Sequence, residues 1–321
     1  MSTMNAVEVR LSPDDLTATL REDVRRGLTA TPKVLPPKYF YDARGSELFV
    51  EITRLPEYYP TGTERRLLTT HAPDVARLSS ARTLVELGSG SSEKTRLLLR
   101  ALAGTLHSYV PVDVSESALA GAVSALTSEF PSLAVHGVVA DFEDLSRLPG
   151  EHPRLTAFLG GTIGNLEPAE RVRFLSGVAS GMRPGDALLL GTDLVKEPAR
   201  LVAAYDDSAG VTAAFNLNVL AVMNRELSAD FDPTGFAHVA LWDPDREWIE
   251  MRLRSLRAQR VRVPELDLVV CFDEGEEMRT EISAKFRRDG VSGELASAGL
   301  SLAQWWTDPA GDFALSLATP A

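Results

Sequence analysis

Apolar residues recur along this chain with two different periods. Leu16, Leu20 and Val24 are spaced four apart behind Ser12-Pro13-Asp14-Asp15. Ser12 is placed to cap and Pro13 to take the first helical position, so one amphipathic helix is predicted, ending at Gly27. Three prolines then stiffen Thr31-Pro-Lys-Val-Leu-Pro-Pro-Lys-Tyr-Phe-Tyr41, and the aromatics that close this stretch serve as a packing belt or as a pocket wall. From about 80 to 195 short apolar runs alternate with helical stretches. The runs are Thr83–Leu87, Ser108–Asp113, Val135–Asp141, Leu155–Gly160 and Ala187–Asp193. That alternation predicts βαβ units around a parallel sheet buried on both faces. Beyond 196 come helices near 197–208 and 211–226, then strand-like Trp248–Leu253 and Met278–Phe286, a helix near 291–299, and strands near 301–306 and 312–318. The fold class expected is α/β: a Rossmann-like sheet over 61–195 plus 286–321, with a second, smaller α+β domain made of 8–60 plus the insertion 196–285.

Composition narrows the function. The 321 residues carry 33 Lys and Arg against 45 Asp and Glu, a formal charge of −12. No basic stripe stands out that would neutralise phosphates, so nucleic acid is not an expected partner. No uncharged apolar run approaches the ~18 residues needed to span a bilayer, so neither a membrane partner nor any location but the cytoplasm is expected. The five histidines form no pair three or four residues apart and there is one cysteine, so no metal site is expected. That cysteine, Cys271, lies in Leu-Val-Val-Cys-Phe and reads as a small core residue.

Val85-Glu-Leu-Gly-Ser-Gly-Ser-Ser-Glu-Lys94 stands where the first run of the sheet turns into a helix. Its glycines let backbone approach a ligand, and a helix N-terminus offers free N–H groups. The third glycine of a dinucleotide turn is missing and Glu86 is acidic, which suits a zwitterion better than a pyrophosphate. Asp113 after the next run suits ribose hydroxyls. Asp141-Phe142 after the third suits an exocyclic amine beside an aromatic face. An adenosine with a cationic tail matches this edge, so S-adenosylmethionine (SAM) is the cofactor expected, ahead of NAD.

Here the chain resembles the class I methyltransferases. Leu35-Pro-Pro-Lys-Tyr-Phe-Tyr-Asp42, Thr53-Arg-Leu-Pro-Glu-Tyr-Tyr-Pro60, Glu86–Thr95, Leu159-Gly-Gly-Thr-Ile-Gly-Asn165 and Gly275-Glu-Glu-Met-Arg-Thr-Glu-Ile-Ser283 look like the L-histidine Nα-methyltransferases that open ergothioneine biosynthesis. The resemblance implies cofactor binding by Gly88, Lys94, Asp113, Asp141 and Phe142. It implies a histidine site of Tyr58, Asn165, Tyr205, Glu281 and Ser283, walled by Tyr41, Phe49, Thr162, Phe215 and Met251, with Asn165 and Tyr41 at the chemistry. Three methylations of the α-amine would give hercynine, in a protein expected to be a monomer. Gly161 stands where the family motif has a small hydroxyl residue.

The residue types suit that reading. Tyrosine hydroxyls hold a carboxylate without adding charge, and an Asn carbonyl orients an amine. Glu281 and Ser283, two apart on a strand, share a face and can meet the two imidazole nitrogens; a bare strand pattern would also read them as solvated. Three rival readings remain: a methyltransferase of another, tryptophan-like amino acid, an NAD(P)-linked oxidoreductase, and a ligand sensor without turnover.

Overall fold

The computed structural model describes residues 6–90, 94–141 and 148–321. They divide into two units: Pro60–Val195 and Phe286–Ala321 with the N-terminal strand, and Pro13–Tyr59 with Lys196–Lys285.

The first unit is built on an eight-stranded sheet of β1 (Ala6–Val9), β2 (Thr83–Leu87), β3 (Ser108–Asp113), β4 (Ala134–Val139), β5 (Arg154–Phe158), β6 (Ala187–Asp193), β12 (Leu300–Thr307) and β13 (Phe313–Pro320). Their order is β1-β4-β3-β2-β5-β6-β13-β12. The strands from β1 to β6 pair in parallel, and β13 runs antiparallel to β6 and to β12. Every residue of β2 and of β6 is buried, as a parallel sheet covered on both faces requires. Around them lie α3 (Tyr59–Ser79), α4 (Thr95–Ala101), α5 (Glu116–Glu129), α6 (Pro168–Ser180) and α9 (Arg288–Ser297). The core joins helical Leu68 and Leu98 to Leu84, Tyr109, Leu155, Leu189 and Phe313 of the sheet. The chain runs outward from β2 through β3 to β4, then returns to lay β5 on the other side of β2. This reversal puts a crevice at the carboxyl ends of β2 and β5, where ligands bind in such sheets.

The second unit contains α1 (Pro13–Thr29), α2 (Ala43–Ile52), α7 (Pro198–Tyr205) and α8 (Val211–Leu227). Its strands β7 (Phe236–Asp243), β8 (Trp248–Ser255) and β11 (Glu277–Ala284) make an antiparallel sheet with β8 in the middle, and β9 (Gln259–Val263) pairs with β10 (Leu268–Phe272). Val24, Leu28, Phe40, Val219, Met223, Ile249, Leu253 and Met278 fill a separate core.

Three readings change. Residues 8–12, expected in the smaller domain, belong with the large sheet: Glu8 and Val9 end β1, which pairs with His136–Val139 at the sheet edge. A four-residue edge strand is recruited by a distant partner and leaves no local pattern. The first helix continues past Gly27 to Thr29. Cys271 is exposed, because β10 buries alternate residues, Val270 and Phe272, and an unbroken apolar run conceals that alternation. Among the described residues no helix is long and apolar enough to cross a membrane, and no three His, Cys, Asp or Glu side chains gather as metal ligands.

Candidate active site

At the carboxyl edge of the first unit, the turn after β2 is tied to the end of β3. Gly88 and Ser89 donate backbone N–H groups to the Val112 carbonyl at 2.9 and 3.3 Å. The Asp113 carboxylate accepts from the Gly90 N–H and the Ser115 N–H, each at 3.0 Å. Gly88 and Gly90 hold φ of 68° and 48°, the left-handed region that favours glycine. Among the described residues a Cβ at Gly90 would meet nothing within 4 Å, so none of them fills the space beside Asp113 at this turn. The Ser89 hydroxyl is buried and has no hydrogen-bond partner among the described residues. An open backbone cradle, an orphaned hydroxyl and a strand-end carboxylate fit the polar groups of an adenosyl ligand. Next to Asp113, the Ala140 N–H donates to the Asp113 carbonyl at 3.1 Å, which puts Asp141 at the neighbouring strand end. Phe142 lies outside the described residues, as do 91–93 of the turn.

Glu86 takes a different part from the one its position suggests. Its side chain is buried and turned inward, accepting from the Thr95 hydroxyl at 2.6 Å and from the Tyr109 hydroxyl. Burial pushes its carboxyl up to about 7, against the pull of these hydrogen bonds and the Lys94 charge. Thr95 opens α4, so Glu86 anchors the helix that follows the turn.

After β5, two consecutive glycines, Gly160 and Gly161, hold φ of 80° and 70° and lead into the short 3-10 turn Thr162–Asn165. The Thr162 hydroxyl donates to the Leu159 carbonyl at 2.9 Å, and Asn165 is half-buried. A Cβ on Gly161 would find only ordinary van der Waals contacts. The backbone conformation, not space, is therefore what favours glycine here.

In the second unit, five of the side chains singled out from sequence form one aromatic chain. Ring centroids of Tyr41 and Phe49 are 5.6 Å apart, Phe49 and Phe215 6.0 Å, Phe49 and Tyr58 6.2 Å, and Tyr58 and Tyr205 6.2 Å. These are edge-to-face and tilted contacts within the favourable range. Tyr205 carries the chain to β11, where its hydroxyl lies 2.7 Å from Ser283 Oγ. Glu281 and Ser283 are both buried on one face of that strand, and Met251 sits directly across from Glu281 on β8. Burial drives the Glu281 carboxyl up to about 8, opposed by the charge of Lys285.

Lys285, four residues past Glu281 on the same face, was not singled out from sequence. It is buried and donates to Ser283 Oγ at 2.7 Å and to the Tyr205 hydroxyl at 3.0 Å. An ammonium only donates, so it fixes both hydroxyl oxygens as acceptors. A second support holds the backbone of Tyr205. His238 Nε2 lies 2.8 Å from the Tyr205 carbonyl and its Nδ1 lies 2.9 Å from Asn216 Nδ2, while Thr280 donates its hydroxyl to Asn216 Oδ1 at 2.7 Å. Burial holds His238 below its ordinary value against the carbonyl hydrogen bond, which favours a neutral ring. The sequence does not single these residues out, because the contacts that give them a part, Lys285 to Tyr205, His238 to Tyr205 and Thr280 to Asn216, join positions 80, 33 and 64 apart.

Residues 20–320 match the family described as histidine-specific methyltransferase, SAM-dependent. The chain belongs to this family. It is similar to the histidine N-alpha-methyltransferase of Mycolicibacterium smegmatis, 58% identical over 311 residues, covering 96% of this chain and 97% of that one. It is also 26% identical to the 4-dimethylallyltryptophan N-methyltransferase of Penicillium roqueforti, over 96% of this chain and 95% of that one. Among solved structures, a S-adenosylmethionine-dependent methyltransferase from Clostridium acetobutylicum matches 86% of this chain and 98% of its own, with a TM-score of 0.50 and 10% identity; that likeness shows a shared fold. A SAM-dependent methyltransferase thus carries its open glycine turn and Asp113 in one unit, and Glu281, Ser283 and their aromatic chain in the other.

Proposed function

We propose that this enzyme methylates the α-amine of L-histidine three times, with SAM as methyl donor, to give hercynine at the opening of ergothioneine biosynthesis. The observation that carries the reading is the pair Glu281 and Ser283, buried side by side on β11 with Met251 opposite and Tyr205 and Lys285 fixing the serine. A buried carboxyl next to a buried hydroxyl suits a ring with two polar nitrogens. It penalises an apolar ring, which would leave the buried Glu281 carboxyl unpaired.

In this reading Gly88, Lys94, Asp113, Asp141 and Phe142 hold the cofactor, which supplies a methyl group on a positively charged sulfur. Asp113 accepts hydroxyl hydrogen bonds; Lys94 faces a carboxylate. On the histidine side, Tyr58 and Tyr205 present hydroxyls to the α-carboxylate, and the Asn165 carbonyl accepts an amine N–H so that the nitrogen lone pair is directed at the methyl. Glu281 accepts a ring N–H and Ser283 meets the other ring nitrogen. Tyr41, Phe49, Thr162, Phe215 and Met251 exclude water around the amine, with Tyr41 beside the reacting nitrogen. Alignment supplies most of the acceleration, since displacement at a sulfonium methyl needs no covalent enzyme intermediate. Both reactants are small soluble molecules, which suits a monomer acting in the cytoplasm.

The test is mass spectrometry of the purified protein with SAM and a mixture of the twenty amino acids and 4-dimethylallyltryptophan. Histidine alone gaining three methyl groups is the expected result. Methylation of the tryptophan derivative instead would discard the ring-recognition argument, and no product with SAM still bound would mark a sensor.

A further inference from the structure

Glu64 lies on α3 in the first unit and is completely buried, with 0% of its surface exposed. The roles assigned above do not use it. One of its carboxylate oxygens accepts the Gly160 N–H at 2.7 Å, and the other pairs with the Lys94 ammonium. A Cβ at Gly191 on β6 would lie 2.2 Å from the first of these oxygens, so the absence of a side chain at 191 is what admits the carboxylate. A Cβ at Gly160 would lie 3.5 Å from the Lys94 nitrogen. One carboxylate therefore spans the residue just ahead of α4, the glycine turn after β5 and the middle of β6, next to the crevice where the sheet reverses.

A buried carboxylate is retained at the expense of its hydration and is held only by close, well-aligned donors. Here the donors are one residue assigned to the cofactor, Lys94, and the backbone of the turn that carries Thr162 and Asn165. We infer that Glu64 is a positioning residue: it holds the Lys94 ammonium and the Gly160–Asn165 turn in one fixed relation, so that cofactor and amine meet in line. The Lys94 ammonium has three N–H donors; pairing with Glu64 aims one of them inward and thereby sets the direction of the other two. This inference rests on the methyl-transfer reading above, because it assigns the cofactor to Lys94.

The test is a double-mutant cycle read by calorimetric titration with S-adenosylhomocysteine. Glu64→Gln keeps an oxygen for the Gly160 N–H and removes the charge that holds Lys94. It is expected to weaken binding about tenfold, with the KM for histidine changed less than about threefold, since a misaligned hydrogen bond to a charged group accounts for a factor of this size in affinity. Lys94→Met should weaken binding by a similar factor, and the double variant should be no worse than Lys94→Met alone, as expected of two residues acting as a unit. Glu64→Asp keeps the charge on a shorter arm and should fall between wild type and Glu64→Gln; it carries the test if Glu64→Gln does not fold. Unchanged binding by a folded Glu64 variant, or losses that multiply in the double variant, would show that Glu64 only fills the core and overturn the inference. A wild type that binds S-adenosylhomocysteine but leaves histidine unmethylated would overturn the proposed reaction, while the cycle still decides on Glu64.

Discussion

Replacing Glu281 by Gln should make the ligand-free protein more stable at alkaline pH, even though it removes a group proposed to recognise the substrate. Burial holds the Glu281 carboxyl at about 8, against an ordinary value of 4.5. The folded-state value is the higher one, so the neutral acid is the form the fold prefers. Its contribution is complete below pH 4.5 and is lost as the pH rises through about 8, because above that the folded protein must carry a buried carboxylate that the unfolded chain carries in water. At about 1.4 kcal/mol per pH unit, the interval from 4.5 to about 8 caps the loss near 5 kcal/mol. Glutamine has the shape of the neutral acid and no proton to lose. Urea unfolding of wild type and Glu281→Gln at one-unit steps from pH 5 to 9 isolates the term, since other titrating groups cancel in the difference. The difference should move toward the variant by about 1.4 kcal/mol per unit between pH 5 and 8 and level off above. A difference independent of pH would refute the reasoning. That outcome would mean that Lys285 keeps Glu281 ionised across the whole range, since an acid ionised in both the folded and the unfolded states contributes no slope between pH 5 and 9.

Other expectations follow from the same geometry. Asp113→Ala removes the acceptor of the Gly90 and Ser115 N–H groups along with the proposed ribose contact, so S-adenosylhomocysteine affinity should fall roughly ten- to hundredfold, about 1.4–2.8 kcal/mol; an unchanged titration would place the ribose elsewhere. Lys285→Met takes away the donor shared by Tyr205 and Ser283. The KM for histidine should rise about tenfold with cofactor affinity unaltered, and equal losses in both would remove Lys285 from ring recognition. Asp207 accepts the N–H groups of Val211 and Thr212 at 3.0 and 2.7 Å and so caps α8, the helix of Phe215 and Asn216. Asp207→Ala should cost about 1–2 kcal/mol in chemical denaturation, and a change within error would show that water replaces the cap.

Glu281 and Glu86 were legible to different degrees. Glu281 and Ser283 share a face because strands repeat every two residues, and that much is read from spacing alone. The spacing also applies to Lys285, which passed unnoticed because its significance lies in Tyr205, 80 residues away in sequence. Glu86 shows the reverse case. It was correctly placed at the end of the first sheet strand, yet its carboxyl turns into the core, and which way a strand-end side chain points depends on the helix packed against it.

What the sequence by itself determined is the set of local repeats: runs that must be buried strands, glycines at turns where φ is positive, and residues at two-residue spacing on one face. Those follow from backbone geometry, which acts over a few residues. Tertiary structure alone decided the partners. It recruited Ala6–Val9 to the sheet edge and turned Cys271 outward. It also brought Glu64 of a helix onto Lys94 and Gly160 at the reversal point of the sheet. A buried polar group must find its hydrogen-bond partner wherever the packed chain supplies one, and no local pattern records where that is.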